Sequence, residues 1–119
     1  MLTIKEIKKG CEFADGFEFV NGCVNKDIGF DFLEYKGMHN CTMLGLEDSL
    51  VYKYFLQRVI EGINKKQYET SMVIAETYRA DGLWQGHVLN FDGERYDSEP
   101  FDSIDQAKES AIRYILEQL

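Results

Sequence analysis

Two Asp-Gly pairs constrain this chain more than any other feature. They stand at Asp81-Gly82 and Asp92-Gly93, and one strand-length segment, Leu83 to Phe91, lies between them. Asp-Gly tolerates the positive φ that tight hairpin turns demand. The segment alternates, with Leu83, Gln85, His87, Leu89 and Phe91 on one side and Trp84, Gly86, Val88 and Asn90 on the other. Tyr68 to Tyr78, with an apolar centre at Met72 to Ala75, precedes it, and the polar run Glu94 to Glu99 follows it. Turns this short leave no room for a crossover, so the pattern predicts a three-stranded antiparallel meander. Pro100 has no N–H to give to a ladder, which places the last strand at an edge.

The first half repeats the theme less regularly. Asp15-Gly16 marks a turn, and Phe17-Glu18-Phe19-Val20 alternates as a strand does. Asn21-Gly22 predicts a two-residue hairpin. A second turn region covers Asn25 to Asp27, and Gly29-Phe30-Asp31-Phe32-Leu33 then echoes the first strand. Lys36-Gly37 predicts a further turn and Met38 to Met43 a returning strand.

Three segments read as helices. Thr3 and Glu6 form a capping box ahead of Ile4, Ile7 and Cys11, predicting a short helix to about Glu12. Asp48 or Ser49 caps a second, whose apolar face is Val51, Phe55, Val59 and Ile63, widened by Tyr52, Leu56 and Ile60. It is expected to end near Asn64, with Lys65 and Lys66 beside the negative end of the helix dipole. A second capping box, Ser103 to Gln106, starts a helix with Ile104, Ala107, Ala111 and Ile115 on one face. The order α-β-β-(β)-α-β-β-β-α predicts a single α+β domain over residues 1–119. An antiparallel sheet is expected, with two or three helices packed on one face.

With 119 residues and 45% hydrophobic content, the chain has the material for one real core. No stretch approaches the roughly 20 apolar residues of a membrane span. The first ten residues mix lysine and glutamate with apolar residues, unlike a signal peptide. Three cysteines, Cys11, Cys23 and Cys41, read as free thiols in a reducing compartment. Together these predict a cytoplasmic protein without a membrane partner.

The charge is lopsided. Residues 1–66 hold 10 acids and 9 bases, whereas residues 67–119 hold 11 acids and 4 bases, so nearly all of the net −8 lies in the second half. Such a surface repels phosphates, which argues against direct nucleic-acid binding, and attracts a basic partner. Asp92, Glu94, Asp97, Glu99, Asp102 and Asp105 fall close together, opposed only by Arg95. With Tyr96 on the same strand and Tyr54 off the apolar face of its helix, they form the expected binding surface, because interfaces favour Tyr and Arg. The bland reading is a solvated edge whose charges block unwanted strand pairing. The expected partner is a basic protein or nucleoprotein, and an apolar patch on the second helix is compatible with a homodimer.

Chemistry-bearing motifs are sparse. Cys11, Cys23, His39 and Cys41 are soft metal ligands, but only His39-x-Cys41 is closely spaced, and paired ligand motifs are missing. Cys41 with a histidine would make a thiol enzyme, and paired carboxylates an acid–base one, yet nothing local marks either. The ten glycines build no phosphate-binding loop. No cofactor and no catalytic residue is expected. A small-ligand or nucleotide-binding domain is the alternative to a protein-binding module, and a small cysteine- or carboxylate-dependent enzyme ranks behind both.

Phe55-Leu56-Gln57-Arg58-Val59-Ile60-Glu61-Gly62-Ile63-Asn64, with Asp15-Gly16-Phe17-Glu18-Phe19 before it, resembles small accessory proteins encoded by bacteriophages and prophages. The resemblance implies a protein that acts inside a bacterium by binding host machinery, defence systems included. It carries no site residue over.

Overall fold

The computed structural model describes the backbone of residues 1–25, 28–35, 39–42, 50–70, 73–80, 82–90 and 94–118, and the side chains of 1–19, 33, 50–66, 82–89 and 94–118. The elements run α1 (Ile4–Gly10), β1 (Phe17–Asn25), β2 (Ile28–Tyr35), β3 (His39–Thr42), α2 (Leu50–Thr70), β4 (Val73–Ala80), β5 (Leu83–Asn90), β6 (Arg95–Asp97) and α3 (Ile104–Gln118). This is the α+β class and element order the pattern predicts. The six strands are divided between two antiparallel sheets, β1-β2-β3 and β4-β5-β6, with α2 and α3 against them.

In α1 the capping box forms as expected. The Glu6 N–H donates to Thr3 Oγ1 at 3.2 Å, and the Thr3 N–H donates to Glu6 Oε1 at 2.8 Å. The helix stops at Gly10, with Cys11 as its C-cap. The Ala14–Phe17 turn that follows holds Gly16 at φ 85°, where a side chain would be strained.

Two expectations fail here. Asn21-Gly22 makes no turn: β1 runs straight through it, pairing Asn21 with Asp31 and Gly22 with Phe30. β1 instead continues to Asn25, which pairs with Ile28 after a register irregularity at Cys23/Asn25; the expected turn at Asn25 to Asp27 reaches residues outside the described ones. Turning at Asn21 would leave strands four residues long. The observed register pairs eight positions and sets Phe17 opposite Tyr35 and Phe19 opposite Leu33.

Second, α2 does not stop at Asn64 but continues to Thr70, so Tyr68 is helical and β4 starts at Val73. Lys65, Lys66, Gln67 and Glu69 are good helix formers, and no Gly or Pro interrupts them. Gly62 sits inside the helix for a packing reason. A Cβ there would stand 1.9 Å from the Phe13 carbonyl oxygen, so its absence lets the turn after α1 lie on α2. The expected caps Asp48 and Ser49, and the turns at Lys36-Gly37 and Asp92-Gly93, lie outside the described residues. Of Asp81-Gly82, Gly82 is described, at φ 78°.

One contiguous core joins the elements. Phe17 and Leu33 come from the first sheet, and Tyr52, Phe55, Leu56, Val59, Ile60 and Ile63 from α2. Val88 comes from the second sheet, and Ala111, Ile112, Ile115 and Leu116 from α3. Phe17 meets Phe55 edge to face, centroids 5.4 Å apart. α3 lies directly on the second sheet at Gly86, where a Cβ would stand 2.3 Å from the Ala107 carbonyl oxygen.

Candidate functional site

The acidic segment follows the β6 edge of the second sheet. β6 pairs with β5 through Leu89↔Arg95, Val88↔Tyr96 and His87↔Asp97. The next residue, Ser98, is buried: its N–H donates to the Gly86 carbonyl at 2.9 Å, and its Oγ accepts from the Gly86 N–H at 2.8 Å. The chain then returns to the same strand at Phe101, which exchanges two backbone bonds of 2.7 and 2.8 Å with Trp84. Gly86 and Trp84 are two residues apart, but Ser98 and Phe101 are three. The additional residue makes a bulge at Glu99-Pro100, and both are exposed.

Alternation then sorts the expected site residues. Arg95 and Asp97 share the face of His87, away from α3. Asp97 Oδ1 lies 2.7 Å from His87 Nδ1, and Arg95 Nε donates to both Asp97 oxygens at 3.1 and 3.0 Å. The bond from His87, aided by Arg95 and opposed by some desolvation, holds the Asp97 carboxyl below its usual range. Tyr96 faces α3. Its ring stacks on Tyr114 at 4.1 Å, 5° from parallel, and its hydroxyl lies 3.0 Å from Ser110 Oγ. Tyr96 therefore fastens the edge strand to the helix layer.

Glu94, Glu99 and Asp102 are exposed, Glu94 with a further polar contact. Asp105 is half-buried in the first turn of α3 and pairs with Lys53 of α2 at 3.4 Å. The next residue on α2, Tyr54, is 54% exposed, with the Arg58 guanidinium 5.4 Å over its ring. The Lys53–Asp105 pair thus brings the Tyr54 turn of α2 to the start of α3. Asp92 lies outside the described residues.

Backbone register separates Cys23 from the other soft ligands of the first sheet. Cys23 pairs with Gly29 and Cys41 with Leu33, itself paired to Phe19. Four residues along the sheet and two strands across put their backbones about 16 Å apart. His39, opposite Tyr35, is farther still from Cys23. Cys11 is half-buried, and desolvation pushes its thiol up to about 11, so it is no activated nucleophile at neutral pH. Among the described residues no group of three His, Cys, Asp or Glu side chains is placed to hold a metal ion.

Two features escaped the sequence reading. His87, which the sequence places only on one side of its strand, is 8% exposed and lies under Asp97. Its signal was its place in the alternating strand, but the partner depends on a register that Asp92-Gly93 does not reveal. The other is a buried polar cluster between α1, α2 and α3. Glu109 accepts a bond from the Tyr52 hydroxyl and pairs with the Met1 ammonium at 3.2 Å, while the Tyr52 oxygen accepts from the Leu2 N–H at 2.9 Å.

A cavity of about 450 Å³ lies in the crease between Cys11–Phe17 and α2. Arg58, Glu61, Lys65 and Lys66 line it from α2, and Glu12 and Asp15 from the segment after α1, with Phe13 and Phe17 among its walls. No helix among the described residues is long and apolar enough to cross a membrane. No family model, no curated protein and no solved structure matches the chain.

Proposed function

We propose that the protein is a non-enzymatic binding module that engages a basic protein or nucleoprotein through the acidic edge of its second sheet. The observation that carries this reading is the presentation of Glu99 by a bulge, flanked by exposed Glu94 and Asp102, while the only base in the segment, Arg95, is spent on Asp97. Exposed carboxylates on a sheet edge accelerate encounter with a cationic surface and select against anionic ones. Tyr54, beside the Lys53–Asp105 pair, offers an aromatic contact next to this edge. The resemblance to phage-encoded proteins extends the reading to inhibition or modulation of a host protein in a bacterial cytoplasm. The test is a pull-down from bacterial lysate at low and high salt, read by mass spectrometry. A basic protein retained at low salt, released at high salt and lost with Glu94→Lys/Glu99→Lys/Asp102→Lys is the expected result. Retention by that variant would refute the acidic-edge reading.

The cavity beside α2 favours a second reading, a small-ligand domain, because about 450 Å³ suffices for a metabolite-sized molecule. A ligand-dependent rise in melting temperature across a metabolite panel, abolished by Lys65→Glu, would support it. A flat panel would count against it.

A further inference from the structure

The second sheet has two edges, and they differ. The β6 edge is three residues long and is closed off by a bulge, a proline and like charges, the devices that keep edge strands from pairing. β4 is eight residues long, and among the described residues it pairs only with β5. It has no proline, its register with β5 is unbroken from Val73 to Ala80, and its one Glu and one Arg cancel.

Hydrogen-bond parity shows which β4 groups point away from β5. Trp84 and Gly86 direct their backbone groups toward Phe101 and Ser98. The odd-numbered β5 residues therefore direct theirs toward β4, where their partners are Ile74, Glu76, Tyr78 and Ala80. That leaves the N–H and C=O groups of Val73, Ala75, Thr77 and Arg79 directed away from β5, at an edge that pairs with no other strand among the described residues.

We propose that this edge pairs with the β4 edge of a second copy of the chain. A two-fold axis would join the two sheets, β4 to β4, into one continuous antiparallel sheet of six strands. The inference is independent of the acidic-edge reading. An antiparallel two-fold pairing must match outward residues with outward residues, so its axis passes through a residue position. An axis at Glu76 sets the two Glu76 residues opposite each other, a like-charge pair in the closest-spaced position. An axis at Thr77 avoids this. It places Thr77 opposite Thr77, Ala75 opposite Arg79, Glu76 opposite Tyr78 and Ile74 opposite Ala80. Threonine pairs are favourable across strands, and no like charges meet. This register uses nearly the whole strand, so the occupant that fits by charge and length is the strand itself.

Sedimentation equilibrium of the full chain, with three variants, tests the proposal. Wild type should show a concentration-dependent dimer. Thr77→Pro removes only an outward N–H and leaves the β4–β5 ladder intact, so it should give a folded monomer. Tyr78→Glu places a carboxylate opposite Glu76 twice and should weaken the dimer about tenfold, whereas Tyr78→Lys should strengthen it. If Thr77→Pro fails to fold, the opposite responses to Glu and Lys at position 78 decide alone. A wild-type monomer at high concentration, or a dimer indifferent to the charge at position 78, would overturn the proposal.

Discussion

The two sheets are built from the same parts and are used differently. The second, β4-β5-β6, lies under α3, and its central strand meets the helix backbone at Gly86. The first, β1-β2-β3, reaches the core through Phe17 and Leu33, with Phe19 packed alongside. Both take their places from α2, which contacts β2, β3 and β4. Strand pairing by itself does not secure a sheet to a fold. What secures it is how closely a helix layer approaches one face.

The sharpest way to break the comparison is at Gly86. Gly86→Val should cost about 4 kcal/mol or prevent folding, since even its Cβ overlaps the α3 backbone. Urea denaturation measures it, and a loss below that of any first-sheet substitution would reverse the ranking. Leu33→Ala, the deepest described side chain of the first sheet, should cost about 3 kcal/mol by the same measurement. Tyr52→Phe tests whether polar bonds matter as much as packing where α1, α2 and α3 meet. It should cost about 2 kcal/mol, because the Leu2 N–H and Glu109 lose a buried partner. Gly82→Ala has open space around it and only backbone strain to bear, so about 1 kcal/mol is expected.

The smallest effect is on pH dependence. Burial tends to raise the Glu6 carboxyl, but the Thr3 N–H and Arg113, whose Nε donates to it at 2.8 Å, more than offset this and leave it below its usual value. Asp97 is lowered by His87 and Arg95. A carboxyl lowered in the folded state binds its proton less readily there than in the unfolded chain. Its stabilisation is therefore complete above the unfolded range, near pH 4, and disappears as the pH falls through the lower folded values. Melting temperatures should decline slightly more steeply below pH 4 in wild type than in Glu6→Gln or Asp97→Asn. Equal slopes would show that neither pair matters.

Local signals recovered the element order because capping boxes and helical periodicity act over a few residues. Thr3 and Glu6, and the α2 face from Tyr52 to Ile63, are where that reading placed them. Asn21-Gly22 misled because turn preference is a small local energy, whereas the ladder from Phe17 to Cys23 gains from every added pair. The same competition carried α2 past Asn64. Of the expected surface, the exposure of Glu94, Glu99 and Asp102 follows from polarity alone. The inward turn of Tyr96 and the His87–Asp97 bond follow from strand register. Glu109 was illegible for a different reason: a carboxylate on a helix reads as solvated unless its partners, here Tyr52 and Met1, are known.

The bulge at Glu99-Pro100 gives the segment between β6 and α3 a reading frame. Before it, the residues that meet β5 through backbone bonds carry even numbers, and after it Phe101 takes that role. An unbulged strand continuing from Ser98 would bring Pro100 opposite Trp84. Proline has no N–H for the Trp84 carbonyl, so the strand would lose the bond that returns the chain to the sheet. The distance from Ser98 to Phe101 is therefore a counted length, one residue longer than the straight path, and the only proline in the chain is kept out of the ladder by that count.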